Sequence, residues 1–537
     1  MRRTLRCGGK PRGVALILMM VMLPLFLIPL VGIAIDGTMC YIVQAKLSAA
    51  VDGAALGAGR LLGTKADPKV MAQEFLNVNY PNSYWGSPIT GPTNGAADIT
   101  YTNVLGTHTI TVTAQATVPM LFLRVIGQYS TVVAATATAT KKDTRVMLVL
   151  DHSGSMDTTD PVSKLNVFNT MVSSAKQFVG MFTPGTDEVG LVVYNGSGVV
   201  AYPTTRPYNP SPTSMGGPDG GFLTQANPNP AGPVWDQLNL LQAGGYTDMT
   251  EGLSLAYIEL QKAHYRDLAS KGSDTIMNAV VLFTDGMPQA LALHVNDASS
   301  LPASNALKPS GSGNGQSKCT WNPESTTDTT TQMRGYVTWG IDATSGPSTG
   351  NDTSLGLYML GAYDNTHTLT WWIQSTGATD NKPSPTTPYA NCKYFYNSNY
   401  YLDDMAKIPD KDLYGNLTTG VADTWSTWHK TAFNAAKPTV AYQEYLAGWN
   451  TTDNAGQTIR SQTIMNPITI YTIGYDGDVG GTDSNLLIRL ANDPRAKNIG
   501  NAWHTDQQTG QFYIVHTADD LSSAFSMVAS QVLRLAK

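Results

Sequence analysis

The chain has 537 residues and a net charge of -6, and only 14% of its residues are charged. A chain of this length predicts two to four domains. The balance is mildly acidic and Lys/Arg clusters are confined to the first dozen residues, which argues against nucleic acid as a partner. Low charge together with 50 Gly and 30 Pro is typical of an extracytoplasmic protein.

The N-terminus combines a basic segment with an uncharged apolar run from Val14 to Ile35. A run of this length crosses a bilayer as one helix and exceeds the apolar core of a cleaved signal peptide. Positive charge before the run predicts a cytoplasmic N-terminus, with everything after residue 36 periplasmic or extracellular. Residues 1–36 are therefore predicted to be a single membrane anchor. An uncleaved or late-cleaved secretion signal is the alternative.

Residues 37–140 predict a small α+β module between the membrane and the main domain. An alanine-rich run with helical character comes first, and Gly/Pro-rich sequence follows around 81–96. Two segments with alternating apolar residues, HTITVTAQATVP and TVVAATATAT, then predict strands on either side of a short turn or helix.

From residue 144 onward, strand-like and helix-like segments alternate, which favours a parallel sheet with crossover helices. The predicted strands lie in RVMLVLD, EVGLVVYN, IMNAVVLFTDG, ITIYTIGYD and GQFYIVHT. An interruption at about 287–466, rich in Thr, Asn, Trp and Tyr, has the size of a domain. The sequence thus predicts a doubly wound, mainly parallel α/β domain over 144–537 that contains a large insertion.

Five oxygen-bearing side chains stand at predicted strand ends or just before a helix. Asp151, Ser153 and Ser155 follow the first strand on alternate positions, Thr247 precedes a helix, and Asp285 closes a later strand. Because the carboxyl ends of neighbouring parallel strands meet at one crevice, we expect these side chains to converge. Hydroxyl and carboxylate oxygens suit Mg²⁺, with Mn²⁺ or Ca²⁺ as other candidates. Two carboxylates roughly neutralise such an ion, which stays able to accept an anionic ligand.

In this order the five residues resemble the metal-ion-dependent adhesion site of von Willebrand factor type A domains, and every position of that motif is present. The resemblance covers about 144–286 and 467–537. It implies a Rossmann-like fold and a bound Mg²⁺ whose open coordination position receives a carboxylate from a partner protein.

A second resemblance covers residues 10–140. The basic start, the apolar helix ending in GIAIDG and the segment YIVQAKLSAAVDGAALGAGR are similar to the N-terminal region of Tad pilus-assembly proteins of the TadE/TadG type. TadG-like members commonly join this region to a von Willebrand A domain. The chain departs from the pattern of this family at one position. No Glu follows the basic segment, where prepilin-like members carry one for peptidase recognition. Processing as a pilin therefore stays open.

Other motifs carry weaker signals. Gly346–Gly350 matches the G-x-S-x-G pattern of a nucleophilic serine, but it lies in a Ser/Thr/Gly-rich loop with Pro beside the Ser, so no catalytic role is expected. His152 lies inside the predicted metal loop, and we expect it to face solvent. Cys319 and Cys392 could pair in an oxidising compartment or remain free. Most aromatic residues of the insertion are expected in its own core, with a carbohydrate- or surface-binding module as the alternative.

These observations predict a non-enzymatic, membrane-anchored and metal-dependent adhesion or assembly factor of a Tad/Flp pilus system. Its partner would offer an acidic residue to the metal, and pilus or envelope components are candidates. The alternative is a structural envelope protein or minor pilin-like scaffold in which the metal only stabilises the fold. An exported enzyme is disfavoured, because 287–466 shows neither a recognisable pair of carboxylates nor a His/Cys cluster.

Overall fold

The computed structural model describes residues 12–62, 67–203, 233–294, 334–338, 356–359, 408–477 and 481–535, apart from positions 82, 94, 184–185, 197, 240, 245, 429 and 437–440 within these ranges. Cys7, Cys319, Cys392 and the Gly346–Gly350 motif lie outside the described residues. The chain divides into two compact units, one ending at Lys141 and the other running from Lys142 to Ala536.

Two helices begin the first unit, α1 (Arg12–Arg60) and α2 (Pro68–Asn79). In the second half of α1 buried residues recur at the three- to four-residue spacing of a helix that packs on a sheet; they include Val43, Leu47, Ala50, Val51, Ala54 and Ala58. Among the described residues, one stretch within α1, Pro29–Arg60, is long and apolar enough for a membrane span by length and composition alone. Cys40, in the same helix, is a free, half-buried cysteine.

The first unit also contains a four-stranded sheet, formed by β1 (Ile89–Gly91), β2 (Asp98–Val104), β3 (Thr107–Pro119) and β4 (Ser130–Lys142), in which β3 pairs with each of the other strands. The alternation expected for β3 is present, because every second side chain from Ile110 to Val118 is buried, on the face that packs against α1. A short 3₁₀ turn at Leu123–Ile126 stands where a turn or helix was predicted between β3 and β4. The sequence analysis did not predict α2, β1 or β2.

The second unit contains, in chain order, β5 (Thr144–Asp151), α3 (Val167–Val179), β6 (Glu188–Tyr194), β7 (Gly198–Tyr202), α4 (Pro233–Asn239), α5 (Met249–Lys271), β8 (Met277–Thr284), β9 (Ala290–His294), β10 (Arg334–Thr338), β11 (Gly356–Met359), α6 (Ala422–Trp425), α7 (Ala441–Ser461), β12 (Ile468–Tyr475), α8 (Ser484–Leu490), β13 (Phe512–Val515) and α9 (Leu521–Leu535).

Six of these strands form one sheet in the order β13-β12-β8-β5-β6-β7. Counted along the chain within the sheet, this is the 3-2-1-4-5-6 order of doubly wound folds. All neighbouring pairs are parallel except β6 with β7, where the edge strand runs antiparallel. The predicted fold class, a doubly wound and mainly parallel α/β domain, is confirmed. The edge strand β7 was not predicted.

The central strands are buried along their whole length, as apolar parallel strands covered on both faces must be. Every residue of β5, β6 and β12 is buried, and β8 is buried apart from its first residue. Helices α3 and α9 pack together, and their Phe178 and Phe525 form an aromatic cluster with Phe283 of β8. Helices α5, α7 and α8 form a second packed group.

Helix α7 lies inside the range 287–466 that the sequence assigns to the insertion, yet it contacts α5, α8 and β12 of the main sheet domain. Asp483 binds it directly, accepting hydrogen bonds from the Tyr445 hydroxyl (2.8 Å) and the Trp449 indole nitrogen (3.1 Å). The same carboxylate caps α8 by accepting from the backbone N–H of Leu486 (3.1 Å). The residues of α7 thus form part of the layer that covers the sheet.

At its amino end, β5 carries a fully buried arginine. Arg145 donates hydrogen bonds to Glu188 (2.6 Å), Asp267 (2.7 Å) and Asp274 (3.1 Å), and so links β5 with β6, α5 and the segment before β8. Burial lowers the pKa of Arg145, but the three carboxylates raise this pKa by more, so the guanidinium stays charged.

Candidate metal centre

All five predicted ligands lie at the carboxyl edge of the parallel sheet. Asp151 is the last residue of β5, and Ser153 and Ser155 lie in the turn that follows it. Asp285 comes directly after β8, the strand beside β5, and Thr247 directly precedes the residue that caps α5. Convergence at the strand ends is the arrangement that doubly wound folds use for ligands.

Oxygens of three predicted ligands, Ser153, Ser155 and Asp285, lie close to one another. The Ser155 hydroxyl donates to Asp285 Oδ1 (2.8 Å), the Ser153 and Ser155 hydroxyls are 3.1 Å apart, and Ser153 Oγ lies 3.5 Å from Asp285 Oδ1. Adjacent oxygens of an octahedral Mg²⁺ site, each at about 2.0–2.1 Å from the ion, lie about 2.9 Å apart. The spacing of the three oxygens therefore fits neighbouring ligand positions around a small divalent ion.

Thr247 belongs to the same site. A Cβ placed on Gly286 would lie 3.2 Å from Thr247 Oγ1 and 4.0 Å from Ser155 Oγ, so Gly286 lies between the two hydroxyls. The buried Thr247 carbonyl accepts hydrogen bonds from the backbone N–H groups of Gln289 (2.8 Å) and Ala290 (3.1 Å). These bonds fasten the Thr247 loop to the chain that follows Asp285.

The carboxylate of Asp151 is fixed in place by hydrogen bonds to both of its oxygens. Its Oδ1 accepts from the backbone N–H of Ser153 (2.8 Å), and its Oδ2 accepts from the Thr284 hydroxyl (2.7 Å). Burial raises the pKa of both Asp151 and Asp285, and the negative charge of Asp151 raises the pKa of Asp285 further. Among the described residues, neither carboxylate forms an ion pair with a basic side chain.

The residues present fit a hard divalent cation. The donor set consists of two carboxylates and three hydroxyls, all oxygen, and the described part of the chain contains no cluster of three His, Cys, Asp or Glu that would favour zinc. Two buried carboxylates without a basic partner are stabilised most simply by a cation between them. Ser155 is exposed, so the site opens to solvent on that side.

The prediction for His152 was wrong, because this side chain is buried rather than facing solvent. Its Nδ1 lies 2.9 Å from the carbonyl of Gln242, and its own carbonyl accepts from the backbone N–H of Gly244 (2.8 Å). Burial lowers the pKa of His152 to about 4, so the ring is neutral near pH 7. His152 is a structural link between the first metal loop and the segment that leads to Thr247.

Sequence reasoning missed further residues that position the ligands. Thr284 orients Asp151, and Asn195 accepts the backbone N–H of Asp248 through its own carbonyl (2.6 Å). Asp248 caps α5 by accepting the backbone N–H of Glu251 (3.0 Å), which fixes the residue next to Thr247. The D-M-T-E spacing is a capping-box signal that could have shown this cap in advance. No comparable local pattern marks Thr284 or Asn195.

Fold and site together define a class: a doubly wound domain with a hydroxyl–carboxylate centre at its carboxyl edge, as the resemblance to von Willebrand A domains implied. At the N-terminus, residues 13–61 match the family described as "Putative Flp pilus-assembly TadE/G-like". This match confirms the predicted TadE/G-like character of that region. No sequence among curated proteins matches the chain.

The chain is similar to several solved structures. A von Willebrand factor type A protein from Catenulispora acidiphila is 12% identical with a TM-score of 0.30, and the match covers 82% of this chain and 49% of that one. The pilus adhesin SpaC from Lactobacillus rhamnosus GG is 10% identical with a TM-score of 0.30, covering 84% and 34%. The vWF domain of the type V pili tip protein Mfa5 from Porphyromonas gingivalis is 14% identical with a TM-score of 0.31, covering 74% and 97%.

This chain thus spans about half the length of the first of these proteins and about a third of the second. Because the TM-scores are low, the assignment of the fold rests on the strand order and on the parallel pairing of the strands.

Proposed function

We propose that the protein is a membrane-anchored, extracytoplasmic binding protein of a Tad/Flp-type pilus or envelope system, and that it binds a partner through a divalent cation. Mg²⁺ is the first choice, held by Asp151, Ser153, Ser155, Thr247 and Asp285. The observation that carries this proposal is the convergence of hydroxyl oxygens, at ligand spacing, with two buried carboxylates that form no ion pair with any basic side chain among the described residues.

The charge of this metal centre explains how the ion would bind a carboxylate of the partner. Asp151 and Asp285 together balance a divalent ion, and the three hydroxyls add oxygens without adding charge. The ion therefore keeps an affinity for a further anionic oxygen, and the exposed side at Ser155 is where the partner's carboxylate would enter. His152 is not available as a general base, because it is buried and bonded to a backbone carbonyl. The role we infer is binding rather than catalysis.

The proposed location at the membrane is supported by exposed apolar residues on α1. Leu30, Val31, Ile33 and Ile35 are exposed on this helix just before the part that packs against the sheet of the first unit, and the TadE/G-like match includes the same residues. The N-terminus would lie in the cytoplasm, since the basic residues precede the apolar run.

A second candidate function is that of a scaffold in which the ion only stabilises the domain. The hydrogen bond between Asp151 and Thr284 and the contact between Ser155 and Asp285 already join β5 to the end of β8. An ion at this point would strengthen the junction whether or not a partner binds.

Capture of envelope proteins on the full chain in lipid nanodiscs separates the two functions. Ser155→Ala removes an exposed ligand, and Asp519→Asn, an exposed substitution outside the site, is the matched control. The adhesion function predicts a partner retained in Mg²⁺, released by EDTA and bound by the control variant but not by Ser155→Ala. If Mg²⁺ raises the melting temperature while no retained protein depends on it, the scaffold function replaces the adhesion function.

A further inference from the structure

The loop between β3 and β4 of the first unit is apolar and strongly exposed. We call residues 121–129 the apolar loop. Of its large side chains, Val125 is 86% exposed, Ile126 75%, Tyr129 66% and Leu121 57%. A folded module that faces only water rarely leaves so many neighbouring apolar side chains uncovered, so a contiguous patch of this kind marks a binding surface.

The apolar loop is bonded to α1 at one position. The buried Asp36 carboxylate accepts the backbone N–H groups of Leu121 (2.9 Å), Phe122 (3.0 Å) and Leu123 (2.8 Å). One helical turn earlier, a Cβ on Gly32 would lie 2.6 Å from Phe122 Cβ, so only glycine allows the Phe122 backbone this close to the helix. The loop therefore has a fixed level along α1, between residues 32 and 36.

That level coincides with the end of the apolar run. At about 1.5 Å per residue, the run from Val14 to Ile35 is about 33 Å long, close to the roughly 30 Å of a bilayer's hydrocarbon core. After Val43 the same helix is buried against the sheet of its own unit. If the apolar run crosses the membrane, Asp36 lies at the far boundary and the apolar loop lies beside it.

The charge of the loop suits a lipid headgroup region. Arg124 is the only Asp, Glu, Lys or Arg between Asp98 and Lys141, and it is exposed. An exposed Arg among apolar side chains matches the interface, where lipid phosphates lie above acyl chains. The loop also contains Tyr129, and tyrosine is enriched at membrane–water interfaces.

We propose that the apolar loop inserts into the extracytoplasmic leaflet beside α1, so that the first unit rests on the membrane through two contacts rather than one. Val125 and Ile126 enter the acyl region, Arg124 binds lipid phosphate, and Asp36 ties the loop to the helix at the boundary. The inference rests on the proposed anchoring by α1. It adds a lipid-binding surface that fixes the level of the module relative to the bilayer.

Photo-crosslinking tests this inference on the full chain in vesicles of phosphatidylethanolamine and phosphatidylglycerol. p-Benzoyl-phenylalanine replaces Val125 or, in a second variant, Ile126. Val104 is the matched control, because it is also exposed and apolar. It is the last residue of β2 and pairs with Thr107, at the end of the 13-residue strand β3 that lies away from the apolar loop. Leu30, exposed in the apolar run of α1, is the reference for anchoring.

We expect lipid adducts, detected by mass spectrometry, at positions 30, 125 and 126 and none at position 104. Adducts at 30 without adducts at 125 and 126 would overturn the inference while leaving the anchor intact. The absence of lipid adducts at all positions would refute the anchor itself. Crosslinks from 125 or 126 to a second copy of the chain, in place of lipid, would assign the loop to a subunit interface and would also overturn the inference.

Discussion

The electrostatic balance of the candidate site depends on two residues, Asp151 and Asp285. Both carboxylates are buried, and Asp285 lies close to a second negative charge without a basic partner among the described residues. A buried charge is costly unless it is paired or bound to a metal. The cost of burying these two charges therefore destabilises the metal-free protein, and a bound cation would remove that cost.

Asp285→Asn is expected to have opposite effects on stability and on metal binding. The amide keeps the shape of the side chain and an oxygen that can accept from Ser155, but it removes one of the two negative charges. The melting temperature of the metal-free protein should rise, and Mg²⁺ affinity should fall at least tenfold. Calorimetric titration and thermal unfolding with and without EDTA measure both, with Asp519→Asn as the control. A variant that binds Mg²⁺ like the wild type would remove Asp285 from the ligand set.

Mg²⁺ affinity is expected to increase with pH. Because burial raises the pKa of both carboxyl groups in the metal-free fold, the folded protein holds more protons than the unfolded chain above the ordinary pKa of aspartate. The metal-free stability therefore falls as the pH rises toward the raised pKa values, while metal binding displaces the protons. Titrations near pH 5.5 and pH 8, in buffers of different ionisation enthalpy, should show tighter binding at high pH and proton release at low pH. An affinity independent of pH would contradict the raised pKa values.

The convergence of the five candidate ligand residues could be predicted from the sequence, because each follows an apolar strand or precedes a helix at a position that a parallel sheet brings to one edge. Thr284 could not, because a Thr at the end of a buried strand looks like any other core residue until its partner Asp151 is known. The error over His152 has the same origin. The carbonyl of Gln242 that holds its ring lies 90 residues away, and no local pattern indicates that contact.

At the scale of elements, β5 joins two polar centres. Its carboxyl end bears Asp151, and its amino end bears Arg145 within a buried network of three carboxylates. Both ends are bonded to the chain around β8, through Thr284 and Asp274 respectively. Correct placement of β5 in the sheet is therefore required for the geometry of the metal loop.

Arg145→Met is expected to destabilise the second unit by about 3–5 kcal/mol, because removal of one partner leaves buried carboxylates without their main counter-charge. Lys271→Met is the matched control. Lys271 also bonds Asp267, but its side chain is 46% exposed, and its loss should cost less than about 1 kcal/mol. Urea unfolding of both variants measures the difference. Equal and small effects would show that the network at Arg145 contributes little to stability.

The long strands β5 and β12 were predictable, because burial on both faces of a strand leaves a nearly continuous apolar run in the sequence. The short edge strand β7 and the helix α7 were not. The sequence of α7 contains Gly448, Asn450, Asn454 and Gly456, which weaken a helix pattern. Its burial comes instead from contacts with elements distant in sequence, which include the hydrogen bond from Trp449 to Asp483, 34 residues further along the chain.

At the scale of the whole molecule, the chain combines two compact units with different tasks. The first unit carries the TadE/G-like helix, with Leu30, Val31 and Ile33 exposed on it, and the exposed apolar loop, and these surfaces suit a membrane. The second unit carries the doubly wound sheet and the five candidate ligand residues at its carboxyl edge. We infer that the first unit holds the protein at the envelope and the second presents a metal-dependent binding edge.

Calorimetry of Mg²⁺ binding to the full chain in nanodiscs, for the wild type, Asp151→Ala and Asp519→Asn, is the first experiment for the metal site. We expect the wild type and Asp519→Asn to bind one ion each and Asp151→Ala to bind none. A ligand concentration of about 100 times the dissociation constant should stabilise the wild type by roughly 2.7 kcal/mol. A folded wild-type protein that binds no divalent cation, or an Asp151→Ala variant that binds as tightly as the wild type, would contradict the assignment of this site.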